Sequence, residues 1–91
     1  MFYVYILQSD STGRFYIGHT NNLDRRLAEH NESSNKNSLT TKRFKGPWQL
    51  VHSEQFATRS EAMIREKQIK SWKSRAAINN LIERSYGKYF N

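Results

Sequence analysis

The stretch that decides the fold runs from Phe15 to His30 and reads FYIGHTNNLDRRLAEH. Its first three residues are aromatic or β-branched, which favours a β-strand. Gly18 permits a backbone conformation or a close approach that a Cβ would block. Asn21 is a residue type that caps helix N-termini, and Asp24 adds negative charge to the first turn. The stretch therefore predicts a strand that runs through a glycine turn into a helix.

The predicted helix carries an apolar stripe with charged groups at its edge. Leu23 and Leu27 lie one turn apart and are expected to face the core. Arg26 and His30 are also one turn apart and lie beside this stripe. A guanidinium and an imidazole at the edge of a core are unusual for a purely structural helix. We therefore expect the functional site to include this helix.

The composition predicts one small, soluble, basic domain. The 91 residues include 15 Lys and Arg against 8 Asp and Glu, which gives a formal net charge of +7. This charge favours a polyanionic partner, nucleic acid before a membrane surface. The absence of cysteine excludes disulfides and thiolate zinc sites, and no apolar run approaches the roughly 18 residues of a membrane span. We therefore expect a cytoplasmic protein.

Residue patterns predict elements in the order strand, strand, helix, strand, helix, helix. They cover residues 2–8, 15–19, 22–31, 48–56, 58–70 and 74–82. The short turn after the first strand predicts an antiparallel hairpin, while Thr58 with Glu61 forms a capping box and Ser74 is a second predicted cap. The simplest α/β (α+β) arrangement is a sandwich in which three helices flank a three-stranded, mainly antiparallel sheet. We place the domain at residues 1–84 and a loosely held, basic and aromatic tail at 85–91.

A long polar segment separates the first helix from the third strand. Residues 31–41 are rich in asparagine, serine and threonine, which predicts a mobile loop. Three cations follow at Lys42, Arg43 and Lys45. The end of the loop is therefore expected to be strongly basic.

Glu66 is an acidic residue that is predicted to lie on the core side of its helix rather than on the solvent side. A helical projection places it between Ala62, Met63 and Ile69, inside an apolar stripe. A carboxylate there must be paired, hydrogen-bonded or bound to a metal, because isolated burial costs several kcal/mol. One interpretation is an ion pair with Arg26 or with a lysine. The other is a ligand for a single Mg²⁺-like ion, which uses few protein carboxylates and keeps its waters.

Two tyrosines and two histidines complete the candidate site. Tyr5 and Tyr16 lie on the two strands of the predicted hairpin, and packing is the usual role of such residues. A tyrosine hydroxyl titrates near pH ~10, so it acts as a base only if a cation, metal or histidine stabilises the phenolate. His19 is also consistent with a polar turn, and His30 with a helix-end histidine. His52 is predicted to be structural.

Taken in order, these residues resemble the GIY-YIG nuclease family. The resemblance is closest to the small standalone bacterial members and extends to the nuclease domain of the excinuclease C subunit. It rests on Val4-Tyr5-Ile6, on Tyr16-Ile17-Gly18 ten residues later, on Thr20 to Leu23, on Arg26 with His30, and on Glu66. The matching residues span about 2–82, and their specificity comes from the ordered set rather than from one motif.

This resemblance implies a metal-dependent endonuclease that hydrolyses DNA phosphodiester bonds, with a role in repair or recombination. It implies a single Mg²⁺ or Mn²⁺ ion held by Glu66 and a general base that is either Tyr5 or Tyr16. Arg26 matches the arginine that stabilises charge on the phosphate. The fold implied is the same sandwich that the element order predicts.

The resemblance also gives roles to the histidines, because His30 and His19 match positions where family members often carry a helper histidine or lysine. We expect the main site residues to converge on one cleft at a sheet face, namely Tyr5, Tyr16, Arg26, His30 and Glu66. DNA phosphates, read with weak sequence preference, are expected to meet Lys42, Arg43, Lys45, Arg65, Lys67, Lys70, Lys73 and Arg75. The alternative is a nucleic-acid-binding module that keeps the fold without catalysis.

Overall fold

The computed structural model describes residues 1–31 and 47–90, with side chains over 1–31 and 47–84. Within them lie β1 (Phe2–Ser9), β2 (Phe15–Thr20), α1 (Leu23–Asn31), β3 (Trp48–Phe56), α2 (Arg59–Ser71) and α3 (Arg75–Phe90). This order confirms the prediction of β-β-α-β-α-α. Of the loop predicted over residues 31–41, Asn31 is the last residue of α1, and the rest lies outside the described residues. The cations Lys42, Arg43 and Lys45 also lie outside them.

The strands form one antiparallel sheet in the order β2-β1-β3, so β1 is central and β2 is an edge strand. β1 and β2 form the predicted hairpin, and its register places Tyr5 opposite Gly18. Residues 4–7 of β1 are all buried, which agrees with their continuous apolar sequence. The hairpin thus brings the two tyrosine-bearing strands together.

One face of the sheet, here called the α2 face, is covered by the last two helices. Val4 and Ile6 of β1 pack there against Ala62 and Ile69 of α2. α3 lies on the same face and contributes Ile78 to this cluster. The α2 face therefore contains most of the aliphatic core.

The opposite face, here called the α1 face, is covered by the first helix. Tyr5 and Leu7 pack there with Trp48, and Leu23 and Leu27 of α1 close the cluster. The leucine pair faces the core as predicted. Because residues alternate along β1, the helices α1 and α2 lie on opposite sides of the sheet.

The N-cap of α1 is Asn22, and the prediction of Asn21 is wrong by one residue. Asn22 Oδ1 accepts the backbone N–H of Arg25 at 3.1 Å, and its carbonyl accepts that of Arg26 at 3.1 Å. The side chain of Asn21 instead accepts the guanidinium of Arg25 at 3.3 Å. The turn continues one residue further because the Thr20 hydroxyl holds the N–H of Asn22 at 3.1 Å.

The caps of the later helices confirm their predictions. The hydroxyls of Thr58 and Ser74 each accept a backbone N–H three residues on, at 3.2 Å. α3 continues to Phe90, so it includes residues that the sequence assigns to a tail. Gly87 does not end the helix, because one interior glycine costs only about 1 kcal/mol. No described helix is long and apolar enough to cross a membrane.

Candidate active site

A buried hydroxyl on the α1 face is the centre of the candidate site. The hydroxyl oxygen of Tyr5 lies 3.2 Å from His30 Nε2 and 3.3 Å from Arg26 Nε. The side chains of Tyr5 and His30 are almost fully enclosed, with residue exposures of 2% and 4%. These hydrogen bonds are formed away from bulk water, where they are electrostatically stronger.

The direction of one of these hydrogen bonds is fixed by its donor. Arg26 Nε–H can only donate, so it donates to the Tyr5 oxygen. The Tyr5 hydroxyl donates to His30 Nε2 in the tautomer that carries the ring proton on Nδ1, and it accepts from Nε2 in the other tautomer. Burial, reinforced by the Arg26 cation, lowers the pKa of His30 to about 4, so the ring is neutral at neutral pH.

The Tyr5 hydroxyl keeps its proton in the resting protein. Burial raises the pKa of Tyr5 to about 12, although the hydrogen bond from Arg26 acts in the opposite direction. The hydrogen bond to Tyr5 in turn raises the pKa of Arg26, whose guanidinium stays charged. The resting arrangement is therefore a cation, a phenol and a neutral imidazole in one chain.

Gly18 is required by a close approach rather than by its backbone conformation. A Cβ built on it would lie 2.6 Å from the Tyr5 hydroxyl oxygen, 2.8 Å from Tyr5 Cζ and 3.2 Å from Tyr16 Cε1. The left-handed backbone region is used elsewhere, at Gly13 and at Lys73. Of the two roles that the sequence leaves open for Gly18, the structure shows that it makes room for the Tyr5 ring.

Tyr16 joins the site through its ring. The Tyr16 and His30 ring centroids are 4.6 Å apart, and Tyr16 stacks on Tyr5 at 6.2 Å with an interplanar angle of 24°. Such offset contacts add to the energy of simple burial. The residues gathered on the α1 face, here called the Tyr5 cluster, are Tyr5, Tyr16, Arg26 and His30.

Arg26 is held between the Tyr5 hydroxyl and an acidic residue of its own helix. Its Nη1 lies 3.2 Å from Glu29 Oε2, and Arg25 Nε lies 3.4 Å from the other oxygen of Glu29. The side chain of Arg26 is 27% exposed and that of Arg25 is 63% exposed. Among the described residues Arg26 forms no ion pair with Glu66, and its side chain instead interacts with Tyr5, Glu29 and Tyr16.

Glu66 is an ionised carboxylate with two cationic or polar partners. Its Oε1 lies 2.7 Å from His19 Nδ1, and its Oε2 lies 2.9 Å from Lys70 Nζ. Burial acts to raise the pKa of Glu66, but the hydrogen bonds from His19 and Lys70 outweigh it and the pKa is lowered. The lysine-pair interpretation of Glu66 is thus realised, with Lys70 as the lysine. These residues are here called the Glu66 cluster.

The two clusters belong to different helices, because the Tyr5 cluster packs under α1 and Glu66 extends from α2. The negative charge of Glu66 nevertheless adds to burial in raising the pKa of Tyr5, and the expectation of one cleft that holds all of these residues stays a prediction. The alternation of side chains along β2 sends Gly18 and His19 to opposite sides of the sheet. A helical projection places Glu66 on the core side of its helix without telling which face of the sheet that helix covers.

The clusters nevertheless meet at the end of edge strand β2. A pocket of about 260 Å³, here called the β2-end pocket, is lined by Arg26 of one cluster and His19 of the other. Arg25, Glu29 and Arg59 complete its charged wall. Arg59 is a residue that the sequence reasoning misses, and the available signal was that it begins the helix that carries Glu66.

One predicted phosphate contact, Arg65, is used inside the protein. Its Nε and Nη2 lie 2.9 Å and 3.1 Å from the two carboxylate oxygens of Glu54. The buried ring of His52 contacts the same carboxylate at 2.7 Å, and the Arg65 guanidinium lies over the Trp72 ring. This network joins α2 to β3, so His52 has the structural role that the sequence predicts.

The predicted phosphate contacts Arg75, Lys67 and Lys73 have different surroundings. Arg75 donates to the carbonyl of Gly13 at 2.9 Å and lies 4.7 Å from the centroid of the Phe15 ring. It therefore ties α3 to the hairpin turn. Lys67 and Lys73 are exposed.

The comparisons with known proteins agree with this architecture. The model of the GIY-YIG catalytic domain matches residues 1–80. A UPF0213 protein of Natronomonas pharaonis is 42% identical over 81 residues, which cover 88% of each chain. A UPF0213 protein of Staphylococcus haemolyticus is 35% identical over 82 residues, or 90% of this chain and 95% of the relative.

A solved structure extends the likeness to three dimensions. The solution NMR structure of a UPF0213 protein from Bacillus halodurans matches with a TM-score of 0.58 and 37% sequence identity. The match covers 98% of this chain and 90% of that one. The likeness therefore concerns the fold over nearly the whole of this chain.

Proposed function

The chain belongs to the GIY-YIG catalytic domain family, and from that membership we propose that it is a metal-dependent endonuclease that hydrolyses DNA phosphodiester bonds. The observation that carries the proposal is the hydrogen-bonded chain from Arg26 through the Tyr5 hydroxyl to His30. A purely structural tyrosine needs one partner. Here a fixed cation and a neutral base act on the same oxygen.

This chain of groups suits the activation of a water molecule. As the water oxygen bonds to phosphorus, one water proton passes to the Tyr5 oxygen and the Tyr5 proton passes to His30 Nε2. The bond from phosphorus to the leaving oxygen then breaks. That oxygen takes up a proton from solvent water, and His30 Nε2 returns its proton through the Tyr5 oxygen to solvent. Arg26 neutralises negative charge that develops on the phosphate. Tyr16 remains the alternative base, because its ring lies against the same imidazole.

The pKa values of Tyr5 and His30 explain why proton transfer between them requires a bound substrate. A phenol with a pKa near 12 does not give its proton to an imidazole with a pKa near 4 in the empty site. A phosphate held by Arg26 brings negative charge close to the Tyr5 cluster, which acts to raise the pKa of the His30 imidazole. Proton transfer is thereby coupled to the presence of a phosphodiester.

Glu66 is the residue proposed to hold the single Mg²⁺ or Mn²⁺ ion. Among the described residues no three histidine or acidic side chains are grouped to bind a metal. One ionised carboxylate nevertheless fits, because Mg²⁺ often takes one or two carboxylates together with water and substrate phosphate. His19 orients one oxygen, and Lys70, 52% exposed, has room to leave the other. When bound, such an ion supplies Lewis-acid charge and a more acidic water.

The proposed partner is DNA, held mainly through its phosphates. The formal charge of +7 supports a polyanionic partner, and Arg25, Arg26 and Arg59 face one pocket. Lys42, Arg43 and Lys45 remain proposed contacts outside the described residues. A cytoplasmic location and a role in DNA repair or recombination also belong to this proposal.

A second candidate is a nucleic-acid-binding module without catalysis. The contact of Lys70 with Glu66 favours it, because an internal ammonium already occupies one oxygen of the carboxylate that a metal needs. The Tyr5 cluster favours the nuclease, because binding alone has no use for a neutral imidazole behind a tyrosine. The two candidates therefore differ in the behaviour of the Glu66 cluster.

Incubation with supercoiled plasmid, single-stranded DNA and branched DNA tests the proposal. The nuclease converts at least one of these substrates in Mg²⁺ or Mn²⁺ and none in EDTA. Binding that falls steeply with salt but leaves every substrate intact in both metals favours the module instead.

A further inference from the structure

The β2-end pocket holds more positive charge than one phosphate requires. Three guanidinium groups face it, from Arg25 and Arg26 of α1 and from Arg59 of α2. The carboxylate on its wall is Glu29, which both α1 arginines contact. At about 260 Å³ the pocket is also several times the roughly 30 Å³ that one water occupies in the liquid.

The three arginines lie at different depths in the β2-end pocket. Arg26 is 27% exposed and has one edge on the buried Tyr5 hydroxyl, so it belongs to the reacting phosphate. Arg25 is 63% exposed, and Arg59 is exposed as well. These two exposed residues therefore line the open part of the pocket, one from α1 and one from α2.

Both outer guanidinium groups are held in position. Arg25 Nη2 donates to Asn21 Oδ1 at 3.3 Å, and its Nε lies 3.4 Å from Glu29. The Arg59 guanidinium lies 5.0 Å from the centroid of the Phe2 ring, a cation–π arrangement. Fixed planar groups of this kind suit phosphate oxygens, since each presents several N–H donors in one plane.

We propose that Arg25 and Arg59 form a second phosphate subsite at the open part of the β2-end pocket, which binds the phosphate next to the one served by Arg26. The subsite rests on the proposed function, because it assumes that the ligand is a nucleic-acid backbone. It sets the substrate class as a chain with consecutive phosphates rather than an isolated phosphodiester.

The test uses the full-length protein in EDTA, where no cleavage interferes. A thymidine dinucleotide with one phosphodiester is compared by NMR titration with the same dinucleotide carrying an added 5′ or 3′ phosphate. In the wild-type protein one phosphorylated form is expected to bind roughly threefold to tenfold tighter than the bare form, which is the worth of one exposed charged contact. Arg25→Gln and Arg59→Gln should each remove this gain, so that the phosphorylated and the bare dinucleotide bind with nearly equal affinity.

Arg84→Gln is the matched control, because Arg84 is an exposed arginine of α3 outside the pocket, and it should keep the full gain. Arg59→Lys keeps the charge without the planar stack and should keep part of the gain, which separates phosphate binding from the packing of Arg59 on Phe2. A gain that survives in both glutamine variants, or that is lost equally in Arg84→Gln, overturns the subsite. The wild-type protein can also show the gain in affinity without cutting any DNA substrate. This result supports the second phosphate subsite and overturns the proposed nuclease activity.

Discussion

The two faces of the sheet hold their polar groups in different ways. On the α1 face the Tyr5 hydroxyl and the His30 ring are enclosed, with residue exposures of 2% and 4%. On the α2 face the carboxylate of Glu66 is 17% exposed and its partner Lys70 is 52% exposed. One face therefore carries a preformed hydrogen-bonded chain, and the other carries an ion pair at the border with solvent.

The α1 face is suited to hold a side chain in a fixed position, and the α2 face is suited to exchange one ion partner of Glu66 for another. A buried hydroxyl left without its partner costs about 1–3 kcal/mol, so the Tyr5 cluster resists rearrangement. An ion pair between solvent-exposed groups is worth only about 0–1 kcal/mol, so an incoming cation can displace Lys70 at little cost. The face that must orient a reacting group is rigid, and the face proposed to bind a metal is open.

Gly18→Ala should give the largest change, because it strikes the rigid face. The new Cβ would lie 2.6 Å from the Tyr5 hydroxyl oxygen and 2.8 Å from Cζ, so the ring must move. We expect a loss of about 1–3 kcal/mol in the free energy of unfolding. DNA nicking should fall on the order of a hundredfold, because the hydroxyl is displaced. Thermal melting and plasmid nicking measure both, and a variant that melts and nicks like the wild-type protein removes the case for a rigid α1 face.

His30→Gln should change the pH dependence of stability. The unfolded chain protonates His30 near pH ~6.5, whereas the folded protein does so only near 4, so acidification favours the unfolded state. Stability from this group is fully present above pH ~6.5 and is lost as the pH falls toward 4. Between pH 7 and 5 the loss amounts to about 2 kcal/mol.

Glutamine keeps an acceptor for the Tyr5 hydroxyl but does not titrate. Melting curves at pH 7 and pH 5 should therefore lie closer together for His30→Gln than for the wild-type protein. Glu54 and Glu66 have lowered pKa values, so their contributions are lost at still lower pH and leave this window clear. Equal shifts for both proteins would mean that His30 is not the buried neutral base described above.

Lys70→Met should give the smallest change and acts on the open face. It removes the ammonium 2.9 Å from Glu66 Oε2, so a divalent cation no longer competes with it. We expect the affinity for Mn²⁺, measured by calorimetry, to rise roughly threefold to tenfold, with little change in melting. Lys67→Met, a loss of the same charge from the same helix, is the control. An equal rise in both variants would assign the effect to overall charge rather than to the Glu66 carboxylate.

Local sequence patterns predict the parts of the fold that depend on neighbouring residues. The hairpin follows from two apolar strands joined by a short polar turn, and the caps of α2 and α3 follow from Thr58 and Ser74. The gathering of Tyr5, Tyr16 and the α1 side chains also follows, because the strands pair and α1 begins three residues after β2. These features need no knowledge of distant contacts.

The remaining features depend on contacts between distant segments. Whether α2 covers the same face of the sheet as α1 is decided by packing and not by its own periodicity, so the sequence does not predict the contact of Glu66 with His19. The sequence predicts Arg65 to be a surface cation, and its ion pair with Glu54 forms only because the fold brings α2 next to β3. Arg59 belongs to no motif, and it faces the pocket because α2 begins beside the end of β2.

Glu66 is proposed to take part in catalysis and not only in an ion pair. Glu66→Gln keeps the shape and hydrogen-bonding capacity of the side chain but removes the charge that a divalent ion needs. Glu66 is 17% exposed, and its partners His19 and Lys70 are 22% and 52% exposed, so the stability lost should be about 1–3 kcal/mol, the cost of weakening charge-assisted hydrogen bonds at a partly buried site. Glu83→Gln, at an exposed carboxylate of α3, is the control for a general loss of charge.

The decisive measurement is Mg²⁺-dependent nicking of supercoiled plasmid by wild-type, Glu66→Gln and Glu83→Gln proteins, with DNA affinity and melting measured on the same samples. The account predicts that Glu66→Gln loses nicking by on the order of a hundredfold or more. It should bind DNA as tightly as the wild-type protein or tighter, because a negative charge has been removed, while Glu83→Gln keeps its activity. A Glu66→Gln protein that melts normally and nicks at the wild-type rate would contradict the proposed catalytic role of Glu66.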